Sequence, residues 1–166
     1  MKILNLFIFI LTFNFSITTQ ADDAQTPNKT FEALYAELKN AMDSRNTKHL
    51  AQMLAPGFQS EDTSGKTQSA EQMIDDVSKL PADRNKKSLT SIISVNLSET
   101  YAQVRQKYHM NTIKISPEGK RSYIELDAIS DDTWCLINGS WKISRTVTRQ
   151  LDYLSDGKAA IHSAHP

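Results

Sequence analysis

The chain has 166 residues, with 19 basic against 19 acidic side chains and a single cysteine. Balanced charge excludes the broad basic field on which nucleic-acid binding relies. One cysteine excludes an intramolecular disulfide, a zinc-finger set and a paired-cysteine redox motif.

Lys2 is the only charge before Asp22, and Ile3 to Phe13 is an apolar run interrupted by Asn5 and Thr12. Thr19 and Ala21 place small residues at −3 and −1 of a cut before Asp22, which completes the layout of a secretory signal peptide over residues 1–21. The run falls short of the ~20 apolar residues of a spanning helix. The expected protein is therefore periplasmic or secreted, with no membrane association after cleavage. Roughly 145 residues remain, enough for one compact domain.

Residues 22–29 are polar, contain Pro27, and read as a flexible lead-in. Phe31, Leu34, Tyr35, Leu38, Ala41 and Met42 recur at three- and four-residue spacing, one apolar stripe of a helix. Thr47 is placed to cap a shorter second helix with Leu50, Met53 and Leu54 inward, stopped at Pro56-Gly57. Phe58 to Asp62 reads as a short strand and residues 63–66 as a turn. Ser69 and Gln72 form a capping-box pair opening a third helix with Met73, Ile74, Val77 and Leu80 inward, closed by Pro81. Strand patterns follow over 92–97, 101–110, 123–129, 133–137 and 141–147, the last two joined by Asn138-Gly139, the pair a tight hairpin turn requires. Residues 154–166 read as a polar tail. Helices first and antiparallel strands after make an α+β domain, one helical layer on one curved sheet.

Three stretches carry a family likeness: Phe31 to Leu38 with Asn46 to Leu54, Phe58 to Gly65, and Asp132 to Ile143 around the Asn-Gly turn. In their order and spacing, residues 30–153 resemble the nuclear-transport-factor-2-like (NTF2-like) superfamily, especially its small bacterial SnoaL-like and DUF4440-type domains. The resemblance implies an α+β fold, a cone-shaped curved antiparallel sheet packed on three N-terminal helices, with a deep pocket and frequent pairing through the open sheet face. That scaffold hosts isomerases, dehydratases, epoxide hydrolases, polyketide cyclases and binding modules, so the fold alone does not fix a function.

Asp62 matches, by the resemblance, the general base of the ketosteroid-isomerase branch. A carboxylate at the mouth of an apolar cavity would have its pKa raised, as proton abstraction requires; the alternative is a solvated turn acid beside Gly65. The tyrosine of that branch falls near Leu38 and its second acid near Asp131, so the set is incomplete. Arg145 alternates with Trp141, Ile143 and Val147, which predicts a buried guanidinium paired with Glu125 or Asp127, or anchoring a ligand. Tyr35, Tyr108, Asp127, Trp134 and Arg145 are the candidate pocket residues. Cys135 reads as a small buried hydrophobe and His109 as an exposed or dimer-interface residue. No histidine spacing fits a metal site, and no cofactor is expected. The expected function is an exported domain that binds a small apolar molecule. The alternatives are an acid–base enzyme using a pocket carboxylate, or a dimeric interaction module pairing as a homodimer.

Overall fold

A computed structural model describes residues 27–81 and 83–165. The expected signal peptide and residues 22–26 of the expected lead-in lie outside the described residues. Helix α1 spans Pro27–Asp43, so the end of the expected lead-in is already helical. Its stripe buries Phe31, Tyr35 and Ala41, with Leu34 and Leu38 half-buried beside them. Helix α2 spans Thr47–Met53, and its cap is Asn46 rather than Thr47: the Asn46 side chain accepts from the His49 N–H at 3.0 Å. Strand β1, Leu54–Glu61, continues through Pro56-Gly57, the expected stop, with a shift in register there. After the short strand β2, Thr67–Ser69, helix α3 spans Ala70–Lys79 with the Ser69–Gln72 capping box in place.

The remaining strands are β3 Lys87–Leu97, β4 Tyr101–Ile115, β5 Arg121–Ile137, β6 Ser140–Ser155 and β7 Lys158–Ala164. The polar tail is thus the end of β6 and a seventh strand, held on β6 by pairs from Gln150↔Ala164 to Ser155↔Lys158. Asn138 and Gly139, at φ 51° and 77°, turn β5 into β6 as expected. The sheet order is β2-β1-β6-β5-β4-β3, with β7 also on β6. The β1–β6 pairing is parallel, so the sheet is mixed rather than antiparallel. Because no hairpin can join parallel strands, β1 reaches β6 only through the long crossover of α3 and strands β3 to β5.

One face of the sheet is covered by the helices and is called the inner face. Phe31, Tyr35, Leu54, Phe58, Ala102, Val104, Trp134 and Ile143 form its core. Trp134 is fully buried, with the Phe31 ring edge-on at 5.6 Å and the Tyr35 ring at 5.5 Å. Such edge-to-face pairs contribute about 0.5–1.5 kcal/mol each beyond area burial. A smaller cluster of Ala41, Leu50 and Val77 ties α1, α2 and α3 together.

Candidate functional site

Alternation along β4 and β5 puts even-numbered residues on the inner face. Crossing that face, between the aromatic core and an apolar far end of Met110, Leu126 and Tyr153, runs a polar band. Gln106, Ser130 and Thr148 share one register row, and Asp132 and Thr146 the next. Gln106, Ser130 and Asp132 are buried. Polar side chains at inward positions cost free energy unless partnered.

Asp132 is the centre of the band. It is 2% exposed, and its Oδ2 accepts from the Tyr35 hydroxyl at 2.6 Å. The Tyr35 hydroxyl in turn accepts from the Trp134 indole N–H at 3.3 Å. Thr146 and Gln106 also hydrogen-bond towards the carboxylate, yet its Oδ1 and the Gln106 Oε1 have no partner of good geometry. Burial pushes the Asp132 carboxyl up to about 6, and the neighbouring Asp131 charge adds to this; the Tyr35, Thr146 and Gln106 bonds oppose it. Burial, then the Asp132 charge, pushes the Tyr35 phenol far above its ordinary range.

Thr146 is also the floor of a cavity of ≈ 290 Å³ between α3, β1 and β6. Met42, Phe58, Met73, Val77 and Leu80 supply apolar walls, and Ser60, Gln68 and Asp76 a polar edge. The volume sits at the lower end of the range of small-molecule sites. The acid therefore stands one side chain behind the cavity floor.

The expected site residues fare unequally. Tyr35 and Trp134 are brought together, as buried members of the acid's network. Tyr108 lies on the inner face opposite Ala128 and against Lys86, beside the band but outside the cavity lining. Asp127 is on the outer face, where it accepts from His109 at 2.8 Å and faces Lys107 at 3.2 Å; burial raises its pKa, but those two partners outweigh it and hold it low.

Asp62 is a turn acid. Its Oδ1 accepts from the Ser64 N–H at 2.8 Å, the Ser64 hydroxyl at 2.6 Å and the Lys66 N–H at 3.1 Å. These bonds, the Ser64 hydroxyl's first, lower its pKa, the reverse of what a general base requires. It borders only a polar groove with Lys66, Gln72 and Asp75.

Arg145 is not buried either: its side chain is 56% exposed and its Nη2 donates to Glu61 at 2.6 Å, not to Glu125 or Asp127. The reason is local. Trp134 pairs with Ile143 but Thr133 pairs with Arg145, so β6 bulges by one residue at this point. Beyond the bulge Thr146 takes the inner position and Arg145 turns out. The lone Cys135 is half-buried, its Sγ 3.4 Å from the Ser144 hydroxyl. Among the described residues, no three His, Cys, Asp or Glu side chains are grouped to hold a metal, and no helix is long and apolar enough to cross a membrane.

No family model matches the chain, and no curated protein matches its sequence. Solved structures do match its fold. A conserved protein from Planctomyces limnophilus DSM 3776 is 11% identical with a TM-score of 0.62, covering 75% of this chain and 94% of its own. A nuclear transport factor 2 (NTF2-like) superfamily protein from Salmonella enterica serovar Typhimurium LT2 is 11% identical, TM-score 0.55, covering 73% and 88%. The hexachlorocyclohexane dehydrochlorinase LinA-type3 from Novosphingobium barchaimii LL02 is 18% identical, TM-score 0.60, covering 82% and 92%. The chain has the NTF2-like fold, a curved open mixed sheet with the helices on its N-terminal side. At these identities the likeness is one of fold alone.

Proposed function

We propose that this is an exported domain that binds a small, largely apolar molecule in the cavity floored by Thr146. The observation that carries the reading is the cavity itself: five apolar walls with a few polar groups, Thr146, Ser60, Gln68 and Asp76, converging on it, the usual build of a small-molecule site. Export rests on the signal-peptide pattern of residues 1–21. The protein is proposed to work as a homodimer through its outer sheet face, where Arg105, Asp131 and Arg149, and Lys107, Asp127 and His109, form cross-strand ion-pair rows.

Met73→Trp tests the reading. Met73 is half-buried on the cavity wall, so the larger ring fills the space from its edge. Native mass spectrometry on protein purified from its own host compartment is expected to find a bound mass of a few hundred daltons. Wild type retains that mass and the variant loses it; an equal bound mass in both, or none in wild type, counts against the cavity as the site.

One observation favours a second reading, an acid–base enzyme. Asp132 has a pKa of about 6, close to where a general acid or base operates, and a neighbour of the same fold is described as a dehydrochlorinase. The binding reading is preferred because Asp132 is closed off behind Thr146, out of direct reach of a ligand in the cavity.

A further inference from the structure

All the charge that faces the cavity is negative. Asp76 lines it directly, Asp132 stands beside Thr146 on the neighbouring strand, and among the described residues no lysine, arginine or histidine contributes to its lining. Neighbouring cations stand at its rim or are engaged elsewhere: Arg45 donates to the Leu80 carbonyl, Lys66 lines the adjoining groove that shares Asp76, Lys79 pairs with Asp75, and Lys86 pairs with Asp43 while lying against Tyr108. Among the described residues no cation pairs with Asp132. A buried carboxylate without a counter-ion is costly, and the fold leaves this one uncompensated.

The hydrogen-bond count has the same sign. The Tyr35 hydroxyl proton is committed to Asp132 and the Trp134 N–H to Tyr35. Beside Asp132, among the described residues, what remains unmet is acceptors, Asp132 Oδ1 and Gln106 Oε1, on side chains 2% and 9% exposed; the other unpartnered buried group, the Ser88 hydroxyl, lies on β3 opposite Met110. The Thr146 hydroxyl lies beside the Asp132 carboxylate, an acceptor that attracts its proton, which leaves an oxygen lone pair to offer the cavity. Phe58 and the two methionine thioethers give walls that suit an alkylammonium, through the ring face and a polarisable sulfur.

We propose that the cavity binds a small apolar amine, whose protonated nitrogen donates to the Thr146 hydroxyl between the carboxylates of Asp76 and Asp132. This rests on the ligand-binding reading and narrows it to a ligand class. An ammonium there supplies the counter-ion that the fold withholds. A carboxylate ligand meets two like charges, and an alcohol gains nothing from the field.

The charged and titratable groups around the site are Asp76 from α3, Tyr35 from α1, and Asp131 and Asp132 from β5, with Asp75 and Lys66 across the groove that shares Asp76 and Arg45 at the Leu80 carbonyl, beside the neutral Gln106 of β4 and Thr146 of β6. Amine binding favours ionised Asp132, so affinity rises with pH through the region where that acid titrates.

The test is isothermal titration calorimetry of the purified protein with three probes of equal chain length: n-hexylamine, 1-hexanol and hexanoate. Hexylamine is expected to bind at least about tenfold more tightly than hexanol, with hexanoate weakest, as two nearby carboxylates dictate. Asp76→Asn and Thr146→Val each reduce that preference, and Asp132→Asn, nearly isosteric, abolishes its pH dependence. Equal affinity for hexylamine and hexanol, or tightest binding of hexanoate, overturns the amine proposal and leaves the cavity reading standing. Hexylamine binding untouched by all three substitutions also overturns it, because the amine then sits elsewhere. Failure of all three probes to bind overturns both.

Discussion

Replacing Asp132 by asparagine removes a charge that folding opposes, and the pH dependence of the effect follows from the structure. The Asp132 pKa of about 6 in the folded protein stands above its ordinary 3.8. Folding therefore favours the protonated form. Its contribution to stability is fully present below pH 3.8 and is lost as pH rises through 6. Across the whole shift this is roughly 3 kcal/mol, and the part lost between pH 5 and pH 8 is about 1.4 kcal/mol. The asparagine amide oxygen still accepts from Tyr35, so the native geometry is kept. Urea unfolding of wild type and Asp132→Asn at both pH values isolates the term, because histidines and the other carboxylates cancel in the double difference. Wild type is expected to lose about 1.4 kcal/mol more than the variant on going from pH 5 to pH 8. Parallel pH profiles would show that Asp132 ionises freely in the folded protein, and the buried-acid account would fall.

Asp62→Asn is expected to leave both the melting temperature and probe binding nearly unchanged, since an amide oxygen serves the same turn bonds to the Ser64 and Lys66 N–H groups; lost binding in calorimetry would return Asp62 to the site. Arg145→Met, which a buried guanidinium would make severely destabilising, should shift the melting temperature by only about 2 °C because the guanidinium is exposed and Glu61 keeps its contact with His165. Arg105→Glu sets a like charge against Asp131 in the middle of the outer face, where Asp131 now accepts two bonds from Arg105. Sedimentation velocity should then show a shift from dimer to monomer, and an unchanged dimer would move the pairing surface to another face.

Much of the fold was legible because it follows from local rules. The α1 stripe, the Ser69–Gln72 box and the Asn138-Gly139 turn each act within a few residues, and each stands where its pattern put it. The parallel β1–β6 pairing and the strand β7 were not legible, because nothing in Leu54–Glu61 or Lys158–Ala164 names a distant partner. In the site, Tyr35 and Trp134 could be picked as aromatics on predicted elements. Asp132 was missed, although the sequence carried a signal: an acid between Ser130 and Trp134 at an inward period-2 position of a strand. The bulge beside Arg145 left no mark in composition, and one extra residue exchanges the inward positions for outward ones until a second bulge at Arg149 restores them.

That bulge has a chemical consequence. With unbroken alternation from Ile143, Arg145 would face inward beside Asp132 and neutralise it; the extra residue puts the Thr146 hydroxyl there and leaves the acid unpaired. Bulges re-aim side chains next to functional sites, and an acid kept without a counter-ion is a feature that stability alone would remove. Restoring a cation from within tests this. Thr146→Lys places a tethered ammonium at the cavity floor, against the Asp132 carboxylate and in the space a ligand amine would take. Pairing should bring the Asp132 pKa back down, so the extra stability loss between pH 5 and pH 8 disappears, as it does for Asp132→Asn. Hexylamine binding should disappear with it. A Thr146→Lys protein that folds, keeps the wild-type pH profile and still binds hexylamine would mean that the floor of the cavity does not communicate with the acid, and that the bulge merely bends the strand.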